Sequence, residues 1–315
     1  MPPIATIECE LVLPGGSRFG PQVYSLQLAQ DAGGVVIPAE QLVNVTVRAY
    51  SPSGEGVVFD RAHNRLRFPE SQVLPQALSS SESVLSRFKS PADTTPITEV
   101  GYFFEQIRIF REFRTGPGSP TRYGISTSVP KDRLDDGGDN LALLLTELDF
   151  LGVHESVREY FRRFCDRFED VKVRVGEGLA QAFLLETGLS EPLSAIRMSD
   201  GTLKFLCLLA ALFHPKPAPL MCIEEPELGL HPDAVQLVAS ALVEASEHTQ
   251  LVVTTHSEAL IDALSDRPET VLVCERDFDN GTQFQRLSQE HLKSWLEHYT
   301  LGQLWRKGEI GGGRW

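Results

Sequence analysis

The chain has 315 residues, 42% of them hydrophobic and 23% charged, which is an ordinary composition for a globular protein of about two domains. Its 29 Lys and Arg against 43 Asp and Glu give a formal charge of −14, which excludes a general nucleic-acid coat but leaves a local basic groove open. The five cysteines are scattered without a CxxC pair, which argues against a disulfide framework or a zinc site. No stretch approaches the roughly 20 apolar residues that span a bilayer, and we see no signal-peptide core, so we expect a cytoplasmic protein with no membrane partner.

Residues 1–65 are predicted to form an antiparallel β subdomain. Short alternating apolar runs such as ATIECELVL and QVYSLQLAQ are separated there by Gly, Pro, Ser and Asn turns. Residues 66–190 have a different sequence pattern. A Ser- and Pro-rich stretch comes first and is followed by the helical patterns NLALLLTELDFLG and ESVREYFRRFCDRFEDV. We therefore expect a mostly helical lobe over residues 66–190.

One segment of this lobe, FFEQIRIFREFR, interleaves three phenylalanines with three arginines. Such a strip could bind nucleic acid by stacking bases on the aromatic rings. The alternative is a half-buried element whose arginines reach out to water, and the acidic chain as a whole favours this second interpretation. The residues concerned are Phe104, Phe110, Phe113, Arg108, Arg111 and Arg114.

Residues 191–315 are predicted to form an α/β region. The segment SDGTLKFLCLLAALF is apolar almost all round, which is typical of a buried helix. Three short apolar runs that alternate with helical segments, PLMCI, QLVVTTHS and TVLVCER, predict strands of a parallel sheet. In such sheets the chemistry gathers at the carboxyl ends of the strands.

Two adjacent carboxylates, Glu224 and Glu225, stand where the first of these strands ends. Neighbouring carboxylates repel each other and resist desolvation, so such a pair often marks a cation site or a proton-transfer site. A solvated strand end that is merely acidic is the alternative interpretation. His256 ends the next apolar strand, QLVVTTHS, and we therefore expect it at the same edge of the sheet as the carboxylates.

The start of the buried helix is a third candidate site. Ser199 precedes the helix and Gly201 leaves its first turn without a side chain. A helix N-terminus of this kind binds phosphate through its free N–H groups and its dipole.

Taken in order, these motifs resemble the C-terminal part of an ABC-type ATPase head of the RecF/SMC-like group, a bacterial AAA-family ATPase. MSDGT resembles the signature L-S-G-G-Q, MCIEE resembles the Walker B strand, PELGLHP resembles the D-loop, and His256 resembles the switch histidine. The resemblance is close over residues 190–315. It implies a P-loop NTPase-like α/β sheet lobe with an antiparallel β subdomain and a helical signature lobe.

The resemblance also implies ligands and roles. ATP and Mg²⁺ are the expected ligands, with Glu224 holding Mg²⁺ through a water, Glu225 activating the attacking water, and His256 contacting the γ-phosphate. The signature residues would bind ATP held by an opposite subunit, so the chain would act as a dimer. Those residues are Ser199, Asp200 and Gly201, and the D-loop residues are Glu227, Gly229 and His231.

The family's Walker A loop, G-x-x-x-x-G-K-[ST], has no counterpart in this sequence. None of the seven lysines follows a glycine. We therefore expect a chain whose P-loop strand is missing, as in a truncated reading frame or a fragment. The alternative is a non-catalytic subunit that donates the signature motif in trans to a P-loop-bearing partner.

Complete members of the group implied by the resemblance serve DNA repair or phage defence. They use ATP-driven dimerisation to clamp DNA or to license an associated effector. A homodimer, DNA, and an effector nuclease or toxin are therefore the partner classes that the resemblance suggests for this chain, and the sequence does not choose among them.

Overall fold

The computed structural model describes residues 4–13, 17–46, 56–62, 65–68, 78–153, 155–277 and 281–311. The chain divides after Gln106 into two compact units, residues 1–106 and 107–315. The domain boundaries that we predicted after residues 65 and 190 stay predictions. Among the described residues, no helix combines the length and the hydrophobicity needed to cross a membrane.

The first unit is built on a five-stranded antiparallel sheet in which every strand pairs with the next one in the chain. Its core contains the fully buried side chains of Leu42, Phe59, Val84 and Val100. The elements are β1 (Ile4–Leu11), β2 (Gln22–Asp31), β3 (Gly34–Asn44), β4 (Val57–Ala62), β5 (Arg65–Arg67), α1 (Val84–Arg87) and α2 (Ile97–Gln106).

The second unit alternates helices and strands. Its strands are β6 (Arg108–Phe110), β7 (Ile125–Ser126), β8 (Phe168–Gly176), β9 (Leu179–Glu186), β10 (Leu193–Ser194), β11 (Leu220–Glu224), β12 (Gln250–Thr254), β13 (Leu272–Asp277) and β14 (Gly281–Arg286). Its helices are α3 (Pro120–Tyr123), α4 (Leu141–Phe150), α5 (Glu155–Phe164), α6 (Asp200–Leu212), α7 (Pro232–Ala245), α8 (Glu258–Asp262), α9 (Gln289–Leu296) and α10 (Leu301–Arg306).

A parallel sheet lies at the centre of this unit, with the strand order β12-β11-β6. Phe110 of β6 and Ile223 of β11 are buried, and Val253 of β12 packs beside them. Helices α4 to α7 contribute to the same core, and α6 is buried from Phe205 to Leu212, as its all-round apolar sequence predicted. The α/β fold class predicted from the sequence is thus confirmed.

Two details differ from the sequence interpretation. The run TVLVCER does not join the parallel sheet, because β13 pairs antiparallel with β14 and packs Val273 into a separate small core formed with α8 and α10. The expected helical lobe also contains an antiparallel pair, β8 and β9, since α5 ends at Phe164. The alternating sequence VKVRV in β8 carries the strand signal that the helical interpretation missed.

Candidate functional site

The parallel pairing of β11 with β12 brings the predicted carboxylates and histidine to one edge of the sheet. Glu224 is in register with Thr254, and the Glu225 N–H donates to the Thr254 carbonyl across 2.9 Å. His256 follows Thr254 by two residues. The backbone of all three predicted residues therefore leaves the sheet at the same end of two neighbouring strands.

Glu225 has an unusual backbone conformation. Its φ is 43°, a left-handed value that favours glycine, and Glu177 is the only other described non-glycine residue with positive φ. Two hydrogen bonds hold Glu225 there, one to Thr254 and one from the Leu228 N–H to the Glu225 carbonyl at 2.9 Å. Backbone strain that the surrounding structure maintains in this way is often found at functional sites.

Glu224 forms an ion pair with Arg111, whose Nε lies 3.4 Å from the Glu224 carboxylate. Both side chains are more than half exposed, so the pair contributes little to stability. Mg²⁺ is typically held by one or two carboxylates together with water and substrate phosphates, and Glu224 fits that requirement. Among the described residues, no three His, Cys, Asp or Glu side chains form a ready-made metal cage.

A side-chain contact joins the loop after β11 to the loop after β12. The Thr255 hydroxyl donates to Oε1 of Glu227, and the Ser257 N–H donates to the Thr255 hydroxyl at 2.9 Å. The other Glu227 oxygen, Oε2, is buried and has no hydrogen-bond partner within the described structure. His256 lies between Thr255 and Ser257, so both of its chain neighbours are held in place. The sequence singled out Glu227 and His256 but missed Thr255.

The signature residues stand at the N-terminus of α6. The Ser199 hydroxyl caps the helix by accepting from the Thr202 N–H at 3.0 Å, and both Ser199 and Asp200 are exposed. A Cβ on Gly201 would lie 3.0 Å from the Gly229 carbonyl oxygen. Gly201 therefore lets α6 approach the D-loop of the same chain closely, in addition to leaving the helix start open as the sequence indicated.

The D-loop also contacts α6 one turn further along the same side of the helix. Gly229 has a φ of 80°, and the Lys204 ammonium on α6 donates to the Leu228 carbonyl at 3.4 Å. Leu228 itself is 61% exposed. His231 caps α7, where its Nδ1 accepts from the Asp233 N–H at 3.3 Å, and its ring points into solvent.

Arg122 is a residue of this region that sequence reasoning did not select. Its guanidinium is buried and donates to the carbonyls of Met198 at 2.6 Å and Ala195 at 3.1 Å, and it pairs with the Asp200 carboxylate. It also donates to Thr115 at 2.5 Å. The planar, five-donor fork of arginine suits such a set of acceptors, so Arg122 fixes the segment that leads into α6. No local pattern links it to Asp200, which lies 78 residues further along.

The arginine-aromatic segment is divided between several structural roles. Phe110 and Phe113 are buried and their ring centroids lie 5.4 Å apart. Arg111 pairs with Glu224, and Arg114 pairs with Asp139. Because these phenylalanines are inside the core, they cannot stack on bases, and the half-buried interpretation is supported for this part of the segment.

A family model described as "AAA domain, putative AbiEii toxin, Type IV TA system" matches residues 57–262, well over half of the chain. The chain belongs to this family of AAA domains. The predicted membership of the AAA/ABC-type, RecF/SMC-like ATPases is confirmed at this level. The roles of individual residues and the ligands ATP and Mg²⁺ stay predictions.

Solved structures similar to this AAA domain include heads of SMC proteins. The head domain from Thermotoga maritima is 12% identical, with a TM-score of 0.38 over 85% of this chain and 74% of that one. The Smc head from Pyrococcus furiosus, bound to the C-terminal domain of ScpA, is 13% identical, with a TM-score of 0.44 over 90% and 82%. These scores describe a loose likeness, and the family membership rests on the match over residues 57–262. No curated protein matches the chain.

We predict that replacing Glu225 with glycine will raise the free energy of unfolding. A left-handed backbone conformation costs a non-glycine residue about 1–2 kcal/mol, and glycine avoids this cost. Its greater freedom in the unfolded chain offsets about half of the resulting gain in stability. The expected gain is therefore roughly 0.5 kcal/mol, measured by urea unfolding. Glu177→Gly, at the other positive φ of 51°, is the matched control and should behave alike. A clear loss of stability in Glu225→Gly alone would contradict the assignment of strain.

We predict that Arg122→Lys will destabilise the second unit. A lysine ammonium has three donors, so it cannot donate to the carbonyls of Thr115, Ala195 and Met198 and also pair with Asp200. Each buried carbonyl that is left unpaired costs about 1–3 kcal/mol. We expect a loss of about 3 kcal/mol in urea unfolding. Arg162→Lys, at an exposed pair with Glu155, should stay within about 0.5 kcal/mol. Equal losses in the two variants would show that the Arg122 fork is not needed.

Proposed function

We propose that this AAA domain is the ATP-binding and ATP-hydrolysing module of an ABC-type, RecF/SMC-like protein that works as a nucleotide-sandwich dimer. The observation that carries the proposal is the register of Glu224 with Thr254 on neighbouring parallel strands. It supports the proposal because Glu224, Glu225 and His256 then leave the sheet at one edge, and phosphoryl transfer needs positioned charges more than covalent chemistry.

Each of the three residues has a role in this proposal. Glu225 accepts a proton from the attacking water. Its left-handed backbone is hydrogen-bonded to Thr254 and Leu228, and this fixes the direction in which the side chain leaves the backbone. His256 donates to the γ-phosphate. Glu224, whose pairing with Arg111 is weak and exposed, would hold Mg²⁺ through a water, and the ion would neutralise phosphate charge.

A dimer brings a second set of residues to the nucleotide. The N-terminus of α6, with Ser199, Asp200 and Gly201, offers a helix dipole and free N–H groups to a phosphate held by the opposite subunit. Ile196, three residues before Ser199, and Leu228 of the D-loop are 45% and 61% exposed. We propose that these two apolar side chains form part of the dimer surface, beside the polar signature motif.

A role in defence is the pathway that we favour. The matching family is described by a toxin of a type IV toxin–antitoxin system, and this description supports defence over DNA repair. An effector nuclease or toxin is then the partner class to look for. DNA binding would need a basic groove, and the charge of −14 does not favour one.

The alternative function is a non-catalytic subunit that donates Ser199 to a P-loop-bearing ATPase. The conformation of Glu225 argues against it. A subunit that only donates Ser199 has no use for a carboxylate on a strained backbone at the end of β11.

We predict that the purified 315-residue chain will show weak or undetectable ATP hydrolysis. The lysine and backbone amides of a Walker A loop supply much of the grip on the phosphates, and this sequence contains no such loop. Phosphate release with Mg·ATP is the measurement. Robust turnover that disappears in Glu225→Gln would contradict the prediction and imply a different kind of phosphate site.

We predict that Glu225→Gln and Ser199→Ala will each abolish hydrolysis once the chain is combined with a P-loop-bearing partner. Glutamine keeps the shape of the side chain but cannot take a proton, so only chemistry is lost. In the alternative function, Ser199→Ala lowers turnover whereas Glu225→Gln leaves it unchanged. Ser128→Ala, at an exposed serine elsewhere in the same unit, is the control and should hydrolyse ATP normally.

A further inference from the structure

The helix that follows His256 is too short to hold its own position. α8 runs only from Glu258 to Asp262, and isolated helices shorter than roughly 12 residues are marginal in water, so its place depends on packing. Ser257 directly follows His256 and caps this helix, because its hydroxyl accepts from the Leu260 N–H at 3.4 Å. Contacts that fix α8 therefore also fix the backbone from which the His256 ring projects.

α8 lies between two hydrophobic cores. Leu260 is buried in the main core of the second unit, and its neighbour Ile261 is buried in the small core that also holds Val273 of β13. We call residues 300–310, which contain α10, the α10 segment. This segment supplies half of the six buried members of the small core, which are Leu301, Leu304 and Ile310. The side of α8 that faces away from the main core is thus covered largely by the α10 segment.

Specific polar contacts bind the start of α10 to α8 and to the turn after it. The Gly302 N–H donates to Oδ1 of Asp262 at 2.7 Å, and the Leu301 N–H donates to the Ser265 hydroxyl at 2.9 Å. Gly302 has no room for a side chain, because a Cβ there would lie 2.7 Å from the Glu258 carbonyl oxygen. The two helices therefore touch at their backbones, and a small change at Gly302 must move one helix against the other.

We propose that Gly302 and Asp262 are positioning residues for His256. The α10 segment holds α8, and α8 holds the His256 backbone from the side of the chain that follows it. On the preceding side, the Thr255 hydroxyl bonds to Glu227, so the histidine loop is fixed at both ends. This inference rests on the proposed function, in which His256 donates to the γ-phosphate. It adds a distant segment of the chain to the parts that determine where the imidazole stands.

The first test measures how firmly α8 is held, with the full chain and the variant Gly302→Ala. The added methyl group overpacks the contact with α8, so the helix should open more often. We expect hydrogen exchange at the Leu260 and Ile261 amides, followed by mass spectrometry, to become about tenfold faster. Arg306→Gln is the matched control on the same helix. Arg306 contacts Glu258 of α8 through an exposed ion pair at 3.2 Å, so exchange there should stay within about twofold.

The second test observes His256 itself, since faster exchange in α8 would also follow from a contact that only stabilises the fold. The NMR signal of the His256 ring proton Hε1 is assigned by its absence in His256→Gln. We expect this signal to shift in Gly302→Ala and in Asp262→Ala, which leaves the Gly302 N–H without its partner. Asp262→Asn keeps an oxygen that accepts from this N–H and should restore the wild-type position. The signal of His231, on the D-loop, should not move in any of these variants.

The two Asp262 variants keep the test decisive even if Gly302→Ala does not fold. Both remove the carboxylate charge, so a difference between them reports on the hydrogen bond to Gly302 alone. Equal shifts of the His256 signal in Asp262→Asn and Asp262→Ala would overturn the inference. A His256 signal that keeps its wild-type position while α8 exchanges faster in Gly302→Ala would overturn it as well.

ATP hydrolysis separates this inference from the proposed function. His256→Gln is added to the hydrolysis assay in which the chain is combined with a P-loop-bearing partner, and we expect it to lose turnover. Normal hydrolysis in His256→Gln, together with a His256 signal that shifts in Gly302→Ala, would support the positioning of His256 and overturn its role in the proposed function. Lost hydrolysis in His256→Gln, together with an unmoved signal in Gly302→Ala, would leave the proposed function intact and overturn the inference.

Discussion

The pairing of β11 with β12 is the constraint on which the rest of the site depends. Five consecutive residue pairs, from Leu220 with Gln250 to Glu224 with Thr254, set this register. A shift by one residue would turn every side chain of a strand to the other face, burying Glu224 and exposing Ile223. The apolar core beneath the sheet thus determines where the carboxylates stand. Polar chemistry is positioned here by hydrophobic packing, and the hydrogen bond from Glu225 to Thr254 extends the pairing one residue past the strand.

Two further contacts connect the sheet to the loops that follow it and to α6. The Glu227 carboxylate and the Thr255 hydroxyl tie the loops that follow the two strands, and the close approach of Gly201 to the Gly229 carbonyl ties the first loop to α6. The Arg122 guanidinium holds the segment before α6 by donating to the Met198 carbonyl. The carboxylates, the histidine loop and the signature serine are therefore parts of one connected framework within a single chain. In a dimer, a subunit would present its signature motif and its D-loop as one surface.

The sequence was informative where a local pattern has one structural meaning. Apolar strands, the buried helix α6 and the Ser199 cap follow from periodicity and capping chemistry. Glu224, Glu225 and His256 could be placed at one edge because parallel strands share their carboxyl ends. Arg122 and Thr255 could not be found in this way, since their partners are distant in the chain and their neighbours carry no motif. The left-handed φ of Glu225 was also hidden, because one of the two hydrogen bonds that hold it, the bond to Thr254, forms only after the strands pair.

The pairing of β13 shows what the apolar content of a segment leaves undetermined. Apolar content predicts that a segment is buried, but it does not choose the strand that pairs with it. For β13 the neighbour in sequence, β14, offers a short loop with a low entropy of closure, and Val273 finds a core among α8 and α10. Joining β12 instead would have required closing a longer connection. Loop closure thus decides a pairing that the apolar sequence of β13 leaves open.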